Sequence, residues 1–184
     1  MRGLVLLLMP GCAVAQVICA LGPNAPTYQA SQDQRPAADA LQLAARVGAA
    51  EKAVCAANCP GVALLRNPTA PNAALIASNG QAKLVYAPQF FAAVYASSGD
   101  AGIIAILAHE AGHALDDAMG AAWIKKDWPP EVRADGWAGC ILAHADLNAR
   151  DLASALGALE KNPPSSHPAW SLRLPAIRTG YARC

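Results

Sequence analysis

AILAHEAGHALDD, residues 105–117, places His109 and His113 four positions apart among small and apolar residues, with Glu110 beside the first histidine. The chain has four histidines and four glutamates in all, so this is a concentration of scarce side chains. On a helix, positions i and i+4 lie one turn apart on the same face, and the two imidazoles would point at one place. That geometry suits a metal ion. Zinc takes imidazole nitrogen readily, and two ligands on one rigid helix leave one protein ligand and one open position to be found. Glu110 would stand beside the open position, where it can take the proton of a water as general base, the H-E-x-x-H arrangement. The plainer alternative is a pair of core histidines on an alanine-rich helix, but buried neutral histidines and a buried Glu110 would each need polar partners.

Downstream, PPEVRADGWAGCILAHA carries Glu131 and Asp135 at i and i+4 on a helix opened by two prolines. Glu131 is the expected third ligand, with Asp135 accepting the N–H of a ligating histidine and fixing its tautomer. Alone, the pair would read as acids favoured by the dipole at a helix start. His144, in the same helix, lies away from both motifs and reads as structural.

The segment from Pro36 predicts a first helix, with Leu41, Ala44, Ala45, Val47 and Val54 at helical spacing and Pro60-Gly61 ending the run. Three strand-like pieces follow, VALLR, AALIA and KLVYA. The last two are separated by SNGQ, whose Asn-Gly is a strong hairpin signal. From about Pro88 onward the period is helical. One helix, a small antiparallel sheet and several further helices make an α+β domain over residues 36–184, after an extended lead-in at 16–35.

Residues 1–15 read as a secretory signal: Arg2, an apolar stretch from Leu4 to Met9, and Ala13-Val14-Ala15 before the cleavage point. The stretch MPGC weakly resembles a lipoprotein signal with Cys12 as the acylated residue. Export, to a bacterial periplasm or beyond the cell, is therefore expected, with a membrane-anchored lipoprotein as the alternative. Cleavage after Ala15 leaves Cys19, Cys55, Cys59, Cys140 and Cys184, an odd number, so at least one thiol stays free. Cys55 and Cys59 are close enough for a local disulfide; a structural zinc site would need two more ligands at paired spacing.

A net charge of +1 with 15% charged residues offers no basic stripe for nucleic acid. No run reaches the roughly 18–20 uninterrupted apolar residues of a spanning helix, so the mature chain is expected to have no transmembrane span.

HEAGH followed by EVRAD resembles the gluzincin metallopeptidases. NAALIASNGQAKLVYAPQFF is similar to the hairpin and edge strand of the family containing the CAAX prenyl protease and the heat-shock protease HtpX, and SSHPAWSLRLPAIRTGY is similar to that family's Thr-His-Pro…Arg segment. The resemblance spans roughly residues 70–181 and fits short, exported relatives, since only 18 positions separate His113 from Glu131. It departs at Ser166, where threonine is usual, and at Pro175, which interrupts the terminal helix near Arg173. It implies a zincin-like domain with one zinc per chain on His109, His113 and Glu131, with Asp135 and Arg173 supporting the ligands. It also implies hydrolysis of unfolded or extended polypeptides, with Glu110 as base and the peptide lying antiparallel to an edge strand around Lys83 to Ala87. His167, ahead of Pro168, is placed either near the metal or the developing oxyanion, as a catalytic residue, or at the surface where a helix starts. A periplasmic chaperone or assembly factor on the same scaffold, with weak or no hydrolysis, is the alternative function. Hydrolysis of a non-peptide amide is more distant.

Overall fold

The computed structural model describes residues 28–78, 81–163 and 167–184. The expected signal at 1–15, Cys12, Cys19, the Asn79-Gly80 turn and Ser166 lie outside the described residues. Among the described residues, five α-helices and one three-stranded sheet follow in the order α1 (Ala38–Cys55), β1 (Val62–Arg66), β2 (Ala73–Ser78), β3 (Gln81–Tyr86), α2 (Pro88–Ala118), α3 (Pro130–His144), α4 (Ala149–Lys161) and α5 (Trp170–Arg183). The class is mixed α+β and mostly helical.

Helix α1 buries Ala40, Leu43, Val47 and Ala50, a 3-4-3 spacing that makes one apolar stripe. Leu41 and Ala45, expected on that stripe, point outward instead, because the buried face is centred on Leu43. The helix ends where Ala56 takes a positive φ of 50°, and Cys55 and Cys59 are joined across this end. Cys140 of α3 is bonded to Cys184.

The sheet corrects one expectation. β2 and β3 form the antiparallel hairpin, with Ala73 opposite Tyr86 and Leu75 opposite Leu84. β1, however, runs parallel to β3, from Val62 opposite Ala82 to Arg66 opposite Tyr86. The order is β1-β3-β2, so the sheet is mixed and β3 lies at its centre. Lys83 to Tyr86 therefore have no free edge on which to receive a peptide. The crossing from β1 to β2 is held by Asn67, which is fully buried and donates its backbone N–H to the Tyr86 carbonyl at 2.8 Å. Its amide reaches the Gln29 carbonyl and Asp33, and its Oδ1 accepts from the Thr69 N–H and hydroxyl. A buried side-chain amide satisfied this fully lets the loop cross the end of β3 without stranding a polar group. The last part of the lead-in docks here as well: Gln34 forms a two-bond bridge to Arg66 on the outer edge of β1. Lys83 donates to Asp33 at 2.6 Å, and the Tyr28 hydroxyl donates to the same carboxylate. The outer strands are therefore β1, bridged on its outer side only at Arg66, and β2, whose outer edge pairs with no strand among the described residues.

α2 is two helices joined at Gly99, where φ is 61° and ψ −158°. By length and composition it is the one helix among the described residues apolar enough to cross a membrane. Its run from Ala101 to Leu115 is the buried centre of the fold, packed by α1, α3, α4 and the sheet. The main core joins Leu43 and Val47 to Ile103, Ile104, Leu107 and Leu115 of α2, Trp137, Ile141 and Leu142 of α3, and Ile177 of α5. A smaller cluster of Tyr28, Ile76, Val85 and Ala87 covers the other face of the sheet.

Candidate metal centre

His109, Glu110 and His113 lie in the most buried stretch of α2, flanked by Ala108, Ala111, Gly112 and Ala114. The small residues let α3 come close. A Cβ on Gly112 would collide with the Ala134 carbonyl, so only glycine permits this approach. Through it α3 brings Glu131, in its first turn, and Asp135, one turn on, against the histidines.

The side chains converge on one atom. Glu131 Oε2 lies 2.9 Å from His167 Nε2, 3.2 Å from His109 Nε2 and 3.4 Å from His113 Nε2. His167 Nε2 and His109 Nε2 are 3.1 Å apart. The ligand atoms of His109, Glu131 and His167 all lie within 4.8 Å of one another, a group that can hold a metal ion. His113 Nε2 is buried and, at 3.4 Å, is not directed at Glu131 as a hydrogen bond, which leaves an inward-facing donor atom unsatisfied among the described residues. Three imidazole nitrogens and one carboxylate oxygen are a donor set suited to a divalent transition metal.

Behind the candidate ligands stands a second row of charge. His109 Nδ1 is 2.9 Å from Asp135 Oδ1, which leaves Nε2 as the ligating atom once Nδ1 carries the proton. Arg173 grips the same carboxylate with both arms, Nε to Oδ2 at 2.7 Å and Nη2 to Oδ1 at 2.8 Å, and its third nitrogen reaches the Leu159 carbonyl. Asp135 and Arg173 are both almost fully buried. Pro175 does not displace Arg173. α5 runs through the proline, and the carbonyl deprived of its donor belongs to Ser171, on the exposed side where water can serve it.

The ionisation pattern reflects this crowding. Burial opposes the charge on His109, but hydrogen bonds to Asp135 and Glu131 outweigh it and hold the imidazolium up to about 10. Burial would raise Glu131, yet the three imidazoles around it hold its carboxyl far below the usual range. Asp135 is likewise lowered, against burial, by His109 and Arg173. His167 is lowered, first by burial and then by the charge on His109, against the pull of Glu131. A proton on His109 thus occupies the place in the charge balance that a bound cation would take.

Glu110 is different. Burial raises it, against the nearby histidines and against a hydrogen bond of 2.8 Å from the Leu75 N–H, which points out of the open edge of β2 to Oε2. A cavity of about 20 Å³ between these groups is lined by Asn72, Ala73, Phe90, His109, Glu110 and His167, among others. That is room for about one water-sized species. Of the residues expected from sequence, His109, Glu110, His113, Glu131, Asp135, His167 and Arg173 are brought together, while His144 stands exposed at the end of α3, apart from them. The sequence reading missed the Leu75 N–H, since a backbone donor carries no side-chain signal, and gave no separate role to Asn72, the first residue of the NAALIASNGQ segment. No protein-family model, curated protein or solved structure matches this chain.

Proposed function

We propose that the protein is a zinc-dependent endopeptidase acting on unfolded or extended polypeptides. The observation that carries this reading is the set of three imidazole Nε2 atoms around Glu131 Oε2, with Glu110 tied to the open edge of β2 beside them. His109, His113 and Glu131 would hold the zinc, and His167 supplies a further donor at the same oxygen. Zinc in such a set supplies Lewis acidity, polarising a carbonyl and acidifying water. The chain's own groups do the rest. An extended peptide adds to β2, not to the central β3, through main-chain hydrogen bonds that ask little of its sequence. Glu110 takes the proton of the attacking water and passes it to the departing amine, a role favoured by a carboxyl whose affinity for protons burial has raised. Asp135, clamped by Arg173, keeps the His109 ring turned so that Nε2 faces inward.

The test is Glu110→Gln, assayed for zinc content and for hydrolysis of casein and a peptide library. The amide keeps the size of the side chain but cannot take a proton, so zinc should stay near one per chain while hydrolysis falls by about 100-fold to 10,000-fold. Hydrolysis at the wild-type rate would refute Glu110 as base. A wild-type protein inactive on every unfolded substrate, yet able with its variant to suppress aggregation, would replace the peptidase by a binding protein.

A further inference from the structure

A second cavity, of about 370 Å³, shares no lining residue with the histidine site. It lies between α1, the ends of β1 and β3, and the first part of α2, and its size falls within the roughly 300–1,000 Å³ of small-molecule sites. Its inner wall is apolar and aromatic: Leu43, Phe91, Ile103 and Tyr86, the last stacked on Phe91 with ring centroids 4.0 Å apart. Tyr95, well exposed, stands at the rim.

One residue does not belong to such a wall. In β1 the side chains alternate, and Val62 and Leu64 pack on the main core while Leu65 packs on the cluster across the sheet. Arg66 continues the inward stripe of Val62 and Leu64. Arginine keeps its charge in any environment and normally finds a carboxylate or carbonyl when it is drawn inward. This one has neither among the described residues: its Nε is buried without a hydrogen-bond partner. Asp39 and Asp100 also line the cavity, but both are exposed and neither pairs with it.

We infer that this cavity binds a small monocarboxylate with an aromatic or branched aliphatic body. The planar guanidinium matches a carboxylate through two parallel hydrogen bonds, and the buried Nε–H gains the acceptor it lacks. Leu43, Phe91 and Ile103 take the apolar body. Asp39 and Asp100, at the exposed part of the lining, disfavour a second negative charge, so a phosphate ester fits less well than a carboxylate.

The inference does not rest on the peptidase reading, and its test uses the whole protein. 3-Phenylpropionate and its uncharged analogue 3-phenylpropanol are titrated calorimetrically, with phenyl phosphate as a third probe. The acid should bind saturably, at least about tenfold more tightly than the alcohol, the difference expected of a charge-assisted bidentate contact, and more tightly than the phosphate. Arg66→Met keeps the apolar stem and removes the charge, so acid and alcohol should become equal while zinc content is unchanged. Ala92→Trp, at an exposed lining position, should weaken both by narrowing the cavity, and covers the case in which Arg66→Met does not fold. Equal binding of acid and alcohol to the wild type, no saturable binding of the acid up to about 10 mM, or an acid preference that survives Arg66→Met would each overturn the inference.

Discussion

Around His109 the buried charges answer one another, with His113 Nε2 alone lacking a hydrogen bond among the described residues: Asp135 faces both His109 and Arg173, and Glu131 faces three imidazoles. In the space between the sheet and α1, two buried polar atoms have no such answer, Nε of Arg66 and Oε1 of Glu51. Glu51 lines a cavity of about 90 Å³ whose other walls, Ala44, Val47, Gly48, Val62, Leu64, Leu84, Leu107 and Ala111, carry no polar side chain. Burial alone pushes its carboxyl up to about 6. The difference separates two uses of buried charge. A closed network orients ligands and becomes costly only when one member is removed, whereas a lone group burdens the free protein until something binds to it or its charge is deleted.

If that contrast is right, mutations in the two regions have opposite signs. The largest effect is expected from Asp135→Ala, which strands the Arg173 guanidinium in the core and should cost about 3–5 kcal/mol of stability in a denaturant titration. A loss below about 1 kcal/mol would mean that the network is not closed.

The metal should act next. With His109 held at about 10 against its ordinary 6.5, the metal-free protein has the full benefit of that proton below 6.5 and loses it as pH climbs through about 10. Its melting temperature should therefore fall between pH 7 and 10. Zinc at a thousandfold excess over its dissociation constant should add about 4 kcal/mol and flatten that slope. Binding at pH 7.5 must release a proton, measurable by calorimetry in buffers of different ionisation enthalpy.

Gly180→Ala probes how the network is held. A Cβ there would collide with the Gly136 carbonyl where α5 crosses α3, so α5 must back away, carrying Arg173 with it. Overpacking of this kind costs about 1–3 kcal/mol, and zinc affinity should drop with it. Unchanged affinity would show that Arg173 does not position His109.

Glu51→Gln should do the reverse and stabilise. Because the folded carboxyl titrates near 6 and its ordinary value is 4.5, folding is unpenalised below 4.5 and loses stability as pH rises through about 6. Glu51 is only partly buried, so after screening the gain is held to below about 1 kcal/mol. It should be visible as a small rise in melting temperature at pH 7.5 and absent at pH 4.5.

Much of the histidine site is legible in the sequence, because its spacing is local. His109 with His113, and Glu131 with Asp135, are i, i+4 pairs whose common face follows from the pitch of a helix. The same logic identifies the β2–β3 hairpin, whose strands are neighbours in sequence. It fails at α1, where alanines on several faces blur the stripe and the spacing points to Leu41 in place of Leu43.

Other features depend on contacts between residues far apart in the chain. β1 joins β3 in parallel, with Asn67 holding the loop at the end of β3, and that pairing turns the expected edge strand into the central one. His167 reaches Glu131 from a segment 36 positions later in the chain, and Arg173 reaches Asp135 through Pro175 because the carbonyl left over faces water. Arg66 is unremarkable in the sequence, an arginine at the end of VALLR. Periodicity determined which side chains share a face, since helix and strand geometry repeat within a few residues. Only the tertiary structure decided which faces meet and which charge was left without a partner, because those are set by packing between elements that the local chain does not encode.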